Sequence, residues 1–319
     1  MATGTTLETP FHLRGFISPQ HPAAWKAMKW HDTILSTVFQ DLDCDPPEYI
    51  LVTAPALSGK TTFAMQFRAR AASERPDIFT VYTSLGAVST LATLLHQIRQ
   101  SFIDQVGELL DSMKVQDMTL ELSETLASWG SLEFEDLQEL LRGLIRYLPD
   151  RYRRVVLMLD DCDQMLGGGD GGVADTLRAI HADRITGPLR GFSIIILGRS
   201  LLRRPGAASP LANVVKLHKL KDFSHEDVTA FLRRCGNALG GLSFSNEFVD
   251  FVYRKTHGHA VMLQRLLSTI VRKEGLKRIE IGDAYRAVMD CYEQGGGVID
   301  RVLDLSPLTD EARLKLSSI

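Results

Sequence analysis

The stretch ILVTAPALSGKTTF, residues 50–63, limits the possible folds more than any other part of the sequence. Apolar and β-branched residues precede a short loop that ends in Gly-Lys-Thr-Thr, and a helical pattern follows. A strand, a glycine-containing loop and a helix in this order predict a phosphate-binding loop. In such a loop, backbone N–H groups and the helix N-terminus hold an anion. One position departs from the usual motif, because Ala54 stands where the first glycine is expected.

The loop residues have distinct expected roles. Lys60 is expected to reach the β- and γ-phosphate oxygens of a nucleotide, and Thr61 to place its hydroxyl on Mg²⁺. Ala54 costs little if its φ is negative, and on the order of 1 kcal/mol if its φ is positive. The alternative is a chance Gly-Lys-Thr at a helix start. The residues expected to bind the nucleotide here are Ala56, Leu57, Ser58, Gly59, Lys60, Thr61 and Thr62.

A second apolar segment, VVLMLDD at residues 155–161, ends in two carboxylates. We expect it to be the strand beside the one that leads into the loop. Asp160 would then hold the water shell of Mg²⁺, and Asp161 would orient the attacking water. Asp161 is shorter than glutamate, so we expect slow hydrolysis. The alternative is an acidic cap on a strand–helix turn.

The segment SIIILGRS, residues 193–200, predicts another buried strand with a polar end. The carboxyl ends of parallel strands line one edge of a sheet, where ligands bind. Arg199 is therefore a candidate for stabilising charge during phosphoryl transfer. A surface arginine at the start of a loop is the alternative.

Strands alternate with helices over most of the chain, and helical patterns follow. This order predicts an α/β fold, with a parallel sheet wound with helices on both faces, and then a small helical lid domain. We expect an N-terminal segment over 1–48 that packs on the core and an ATPase core over 49–222. The core would contain a helical insertion at about 104–132. The lid would span 223–295, and 296–319 would begin a further unit.

Composition narrows the class of protein. The chain has 319 residues, 45% of them hydrophobic, and a formal net charge of −3. No run approaches the roughly 18–20 apolar residues of a membrane span, and the start of the chain lacks a signal-peptide pattern. The four cysteines form no C-x-x-C pair, which fits a reducing cytoplasm. We therefore expect a cytoplasmic protein without a membrane partner.

The motifs, taken in order, resemble those of a known family. APALSGKTTF, VVLMLDDCDQM, SIIILGRS and THGHAVMLQRLL follow one another as in the AAA-like domains of STAND-type signalling ATPases. They are also similar to the wider AAA+ group of origin-recognition-like and transposition-regulator ATPases. The resemblance covers about residues 11–290. It implies an ATP-dependent switch in which the nucleotide lies between the αβ core and the helical lid and controls assembly or partner recruitment.

By the same resemblance, Thr256-His257-Gly258-His259-Ala260 matches a lid motif, Gly-x-Pro, that contacts nucleotide. Ala260 replaces the proline, so His259 is the candidate contact. Paired histidines at a helix start are also common as capping or surface residues.

The expected function is an ATP- and Mg²⁺-dependent regulatory ATPase that forms a homo-oligomer and meets protein partners through its helical or C-terminal side. Two alternatives stay open. One is a scaffold that holds ATP without hydrolysing it. The other is a DNA-dependent ATPase that forms oligomers on DNA, since three basic stretches could line a nucleic-acid path if they are not simply solvated. These stretches are Arg151–Arg154, Leu201–Pro205 and Arg272–Arg278.

Overall fold

The computed structural model describes residues 32–55, 58–86, 90–112, 136–162, 172–184, 187–198, 210–238 and 243–271, and the single positions 124, 129, 278, 279 and 282. The chain divides into two compact units. One unit comprises Thr33–Thr53 and Phe63–Lys219. The other contains Ala54–Thr62 together with the described residues from Leu220 onward. The domain limits expected from the sequence stay predictions.

The first unit is built on a five-stranded parallel sheet. Its strands are rich in apolar and β-branched residues, and the three central ones are buried except at the last residue of β1 and the first of β3, as expected where both faces are covered. The predicted α/β class with a parallel sheet is confirmed. The strands are β1 (Tyr49–Thr53), β2 (Ile78–Ser84), β3 (Arg154–Asp160), β4 (Phe192–Gly198) and β5 (Val215–Lys219).

The strand order is β2-β3-β4-β1-β5, so β4 lies between β1 and β3. The expectation that the acidic strand neighbours the loop strand is therefore wrong. Two strand spacings separate β1 from β3, about 10 Å. The carboxyl ends of β1 and β3 still lie at the same edge of the sheet. Ile196 of β4 pairs with Leu159 of β3 on one side and with Leu51 of β1 on the other.

Helices cover both faces of this sheet. On one face, alternate strand residues such as Leu51 and Leu157 share a buried core with α3, α4 and α5. On the other, α1 and α2 meet through the stacked rings of Phe39 and Phe67, 4.7 Å apart. The helices are α1 (Asp32–Asp43), α2 (Lys60–Glu74), α3 (Leu91–Ser112), α4 (Leu137–Arg146) and α5 (Gly172–Asp183).

The predicted insertion at 104–132 is described only in part. Helix α3 continues unbroken through position 104, and Phe102 and Val106 lie in the core. Trp129 is fully buried; its ring lies edge-on to that of Phe102, and its indole N–H donates to the carbonyl oxygen of Leu144 at 3.0 Å. Most of the predicted insertion beyond 112 lies outside the described residues.

The amino-terminal end of β1 contacts the last turn of α5 and Arg184, the residue that follows this helix. The guanidinium of Arg184 lies 4.3 Å from the ring of Tyr49 and donates to the carbonyl oxygen of Phe192 at 3.2 Å. The ring of His181 meets that of Tyr49 edge-on at 4.9 Å. Burial, with a smaller contribution from Arg184, lowers the pKa of His181 to about 4.

The second unit is mainly helical in its described residues. Its helices are α6 (His225–Ala238), α7 (Asn246–Thr256) and α8 (Ala260–Val271). Two short strands, β6 (Ser243–Phe244) and β7 (Arg278–Ile279), pair in parallel, which the expectation of helix throughout this region missed. No helix among the described residues is long and apolar enough to cross a membrane.

Candidate nucleotide-binding site

The loop between β1 and α2 has the backbone expected of a phosphate-binding loop at its second glycine. Gly59 has a φ of 88°, a value that glycine adopts at little cost. Ala54 is buried, and its φ is not positive, because Asp161 and His257 are the only described residues other than glycine with positive φ. Ala54 therefore replaces the first glycine without backbone strain.

The ammonium group of Lys60 is bonded within the loop. It donates to the carbonyl oxygen of Ala54 at 3.1 Å and to that of Pro55 at 2.8 Å. Both acceptors are neutral carbonyl oxygens, whereas a phosphate oxygen carries negative charge that adds Coulomb attraction to the ammonium group. A phosphate group can therefore compete for this side chain.

Two residues with hydroxyl side chains, one before and one after Gly59, are buried. Ser58 is 4% exposed and Thr62 is 7% exposed. The hydroxyl of Ser58 has no hydrogen-bond partner in the part of the chain that the structure describes. An orphaned hydroxyl, a left-handed glycine and a helix N-terminus together fit an anionic ligand. Ala56 and Leu57 lie outside the described residues.

At the end of β3, Asp160 is 1% exposed and firmly oriented. The Tyr82 hydroxyl donates to its Oδ2 at 2.9 Å, and the Asp161 backbone N–H donates to its Oδ1 at 2.9 Å. A backbone hydrogen bond also joins the end of β2 to this residue, because the N–H of Leu85, which follows β2, donates to the Asp160 carbonyl oxygen at 2.8 Å. The carboxylate thus has a fixed direction in a dry setting.

Asp161 is exposed and has a φ of 54°, in the left-handed region that aspartate tolerates better than most residues. The Ser84 hydroxyl, at the end of β2, donates weakly to its Oδ2 at 3.5 Å. The turn therefore separates the two carboxylates: Asp160 points into the fold and Asp161 is accessible to water.

The described residues contain no group of three or more histidine, cysteine, aspartate or glutamate side chains placed to hold a metal. Mg²⁺ does not need such a group, since it usually keeps several waters and takes one or two carboxylates plus substrate phosphates. The single buried carboxylate of Asp160 fits that pattern. Arg199 lies outside the described residues, so its predicted role stays a prediction.

The predicted lid motif forms a tight turn between α7 and α8. His257, with a φ of 46°, caps the end of α7. Gly258 has a φ of 74°, and its carbonyl oxygen accepts the Phe223 N–H at 3.0 Å. The carbonyl of His259 accepts the Leu263 N–H at 2.9 Å, so His259 occupies the capping position of α8. The backbone thus supports the capping interpretation, while a nucleotide contact by His259 stays a prediction.

Sequence patterns missed Tyr82 and Ser84. Both lie on β2, two residues apart and therefore on one face. The register that pairs Ser84 with Asp160 brings that face to the acidic strand end. The alternation of β2 could have indicated a shared face, but only the strand pairing shows which neighbour it meets.

Comparisons with known proteins agree with this geometry. A family model described as an AAA domain matches residues 45–204. A Walker-type ATPase of Pyrococcus abyssi, PABY2304, has 17% identity and a TM-score of 0.61, over 87% of this chain and 75% of its own.

Two proteins of Aeropyrum pernix are also similar in structure. The ORC2 protein, in its ADPNP–ADP complexes, has 13% identity and a TM-score of 0.57, over 82% of this chain and 68% of its own. The ORC1 protein, in complex with DNA, has 15% identity and a TM-score of 0.52, over 83% and 66%. No curated protein matches this sequence. Because the family model spans half of the 319 residues, the chain belongs to the AAA domain family of phosphate-loop ATPases.

Proposed function

We propose that this protein is a regulatory switch of the AAA+/STAND type, which binds ATP with Mg²⁺, hydrolyses it slowly and thereby controls its own assembly or the recruitment of a protein partner. One observation carries the proposal: Gly59, with its φ of 88°, delivers Lys60 to the first position of α2, with the lysine ammonium held at the loop. That is the local geometry an ATP phosphate needs.

The phosphates would be held by the backbone amides from Ala56 to Thr62 and by the Lys60 ammonium. Lys60 would exchange its bonds to the Ala54 and Pro55 carbonyls for charged phosphate oxygens. The orphaned hydroxyl of Ser58 would gain an acceptor in the same step. Binding would thus replace bonds to neutral carbonyl oxygens, and one missing bond, with bonds to charged phosphate oxygens.

The Thr61 hydroxyl and Asp160 would hold Mg²⁺, which neutralises charge on the phosphates. Because β4 separates β3 from the strand that leads into the loop, Asp160 lies about two strand spacings, about 10 Å, from β1, and Mg²⁺ usually retains several of its waters. Asp160 would therefore act through water. Asp161, exposed beside it, would orient the attacking water, and Arg199 would stabilise developing charge.

The switch itself is supported by the division of the chain. Ala54–Thr62 belongs to the same compact unit as the described residues from Leu220 onward, which include α6, α7 and α8. A ligand that changes the conformation of the loop would therefore act on the unit that contains α6, α7 and α8. The helical side would then present partner-binding or self-association surfaces according to nucleotide state.

A DNA-dependent ATPase is the rival function, because the ORC1 protein of similar fold is a complex with DNA. Of the three basic stretches, only Arg151–Arg154 is fully described. There, Arg151 lies over the ring of Tyr152 at 4.6 Å, and Arg154 donates to the Cys44 carbonyl oxygen at 3.2 Å. Those two charges already serve internal contacts, which favours the nucleotide switch over a DNA-binding role for this stretch.

The test is the size of the purified protein, by light scattering during gel filtration, with ATP, ADP or no nucleotide, each with and without duplex DNA. Phosphate release is measured in the same samples. The switch predicts a change in size between ATP and ADP without DNA, and slow phosphate release. If the size of the protein is the same with ATP, ADP and no nucleotide, the switch is overturned. Phosphate release that requires DNA would favour the DNA-dependent ATPase. ATP binding without phosphate release would favour the non-hydrolysing scaffold.

A further inference from the structure

We infer that Tyr82 is a positioning residue that sets the Mg²⁺ dependence of nucleotide binding by fixing the carboxylate of Asp160. The inference rests on the proposed function, because it assigns Asp160 to the metal. Tyr82 lies on β2, away from the sequence motifs, and acts only through its hydroxyl.

The contact follows from the strand register. β2 and β3 are parallel neighbours in which Tyr82 pairs with Met158 and Ser84 pairs with Asp160. Tyr82 is thus diagonal to Asp160 across the ladder, at a distance that only a long side chain spans. Its hydroxyl reaches Oδ2 at 2.9 Å, a good hydrogen-bond length.

This bond controls the direction of the carboxylate. Tyr82 donates to Oδ2 and the Asp161 N–H donates to Oδ1, so rotation of the carboxylate group would break both bonds. The Tyr82 hydroxyl is a neutral donor and leaves the negative charge of Asp160 in place. A carboxylate oxygen can accept more than one hydrogen bond, so the bond from Tyr82 does not by itself exclude a metal-bound water.

Solvent cannot readily replace the hydroxyl, because Asp160 is only 1% exposed. Tyr82→Phe therefore removes this donor from Oδ2 in a dry setting, and the carboxylate loses one of the two bonds that fix its direction. Loss of such an outer contact typically weakens metal binding by about 10- to 100-fold. Because Asp160 would act through water, we expect the lower end, about tenfold.

Tyr152→Phe is the matched control. Tyr152 is a tyrosine of the same unit, partly buried against Phe79, and its hydroxyl accepts from Arg151 at 3.2 Å. It precedes β3, whereas Asp160 ends that strand, so the two positions lie about 20 Å apart. Both changes remove one phenol hydroxyl and keep the ring.

The experiment measures equilibrium binding of a fluorescent ATP analogue in EDTA and in an Mg²⁺ titration. The proteins are wild type, Tyr82→Phe, Tyr152→Phe, Asp160→Asn and the double variant Tyr82→Phe/Asp160→Asn. We expect Tyr82→Phe to keep wild-type affinity in EDTA but to need about tenfold more Mg²⁺ for half-maximal strengthening. Tyr152→Phe should match wild type. The double variant should match Asp160→Asn, because Tyr82 acts through that carboxylate.

Circular dichroism and thermal unfolding verify that each variant is folded. If Tyr82→Phe weakens binding equally in EDTA and in Mg²⁺, its effect is a general structural one and the inference fails. An unchanged Mg²⁺ titration for Tyr82→Phe also overturns it while leaving the proposed function intact. If the wild-type protein binds no nucleotide, or binds it with an affinity that does not depend on Mg²⁺, the proposed metal role and this inference are both overturned.

Discussion

Gly258→Ala should unfold the turn between α7 and α8, and the structure gives the size of the effect. A Cβ at this position would lie 1.9 Å from the Phe223 carbonyl oxygen, whereas Cβ contacts under 3.0 Å essentially do not occur. The backbone must therefore move by about an ångström, because the clashing oxygen belongs to the main chain and cannot rotate away. The φ of 74° adds about 1 kcal/mol for a residue with a side chain.

The movement also breaks a specific hydrogen bond. The Phe223 N–H donates to the Gly258 carbonyl oxygen at 3.0 Å, and a buried donor left without its partner costs about 1–3 kcal/mol. Together with the backbone strain, we expect Gly258→Ala to lower the free energy of unfolding by about 2–4 kcal/mol. The assay is equilibrium urea unfolding followed by circular dichroism.

Gly107→Ala is the control. Gly107 lies inside α3, and a Cβ there would meet nothing within 4 Å. Alanine in a helix interior should raise stability by about 0.5–1 kcal/mol, opposite in sign to the effect at Gly258. The reasoning is refuted if Gly258→Ala unfolds at the wild-type urea concentration, or if both variants shift in the same direction.

Two further predictions concern the acidic strand end and α5. Asp161→Asn should keep ATP binding and lose turnover in a phosphate-release assay, since asparagine also tolerates the left-handed φ of 54° but lacks the charged carboxylate that would orient the attacking water. Unchanged turnover would assign that role to another residue. For His181, the pKa is about 4 in the fold and 6.5 for an ordinary histidine, so the unfolded chain binds more protons between these values. Stability should therefore fall as pH drops from about 6.5 to about 4. His181→Gln should flatten that part of a urea-unfolding profile, and an unchanged slope would contradict the assignment.

Much of the first unit could be predicted from local pattern. The apolar run that ends at Asp160 and the helix that begins at Lys60 are long, strongly patterned elements, and the structure has both where the sequence placed them. The strand order could not be predicted in the same way. β1, β3 and β4 are all buried on both faces, so their sequences carry no mark of which neighbour each one meets.

The local backbone of the candidate site could be predicted from the sequence, whereas contacts that depend on strand pairing could not. Gly59 follows from its own loop, whereas Tyr82 matters only because the β2–β3 register brings it to Asp160. The sequence places Gly258 in a ligand-binding motif, yet the close approach of the Phe223 backbone is a sufficient structural reason for glycine. The two-residue strands β6 and β7 are too short for alternation to reveal them.

The most direct test of the central claim is the ATP affinity of Lys60→Ala by isothermal titration calorimetry. Lys255→Ala, which removes an exposed lysine of α7, is the control. Wild type and Lys255→Ala should bind ATP alike, and folded Lys60→Ala should show no measurable binding, because the loop loses its positively charged side chain that reaches the phosphates. Normal ATP affinity in a folded Lys60→Ala protein would contradict it.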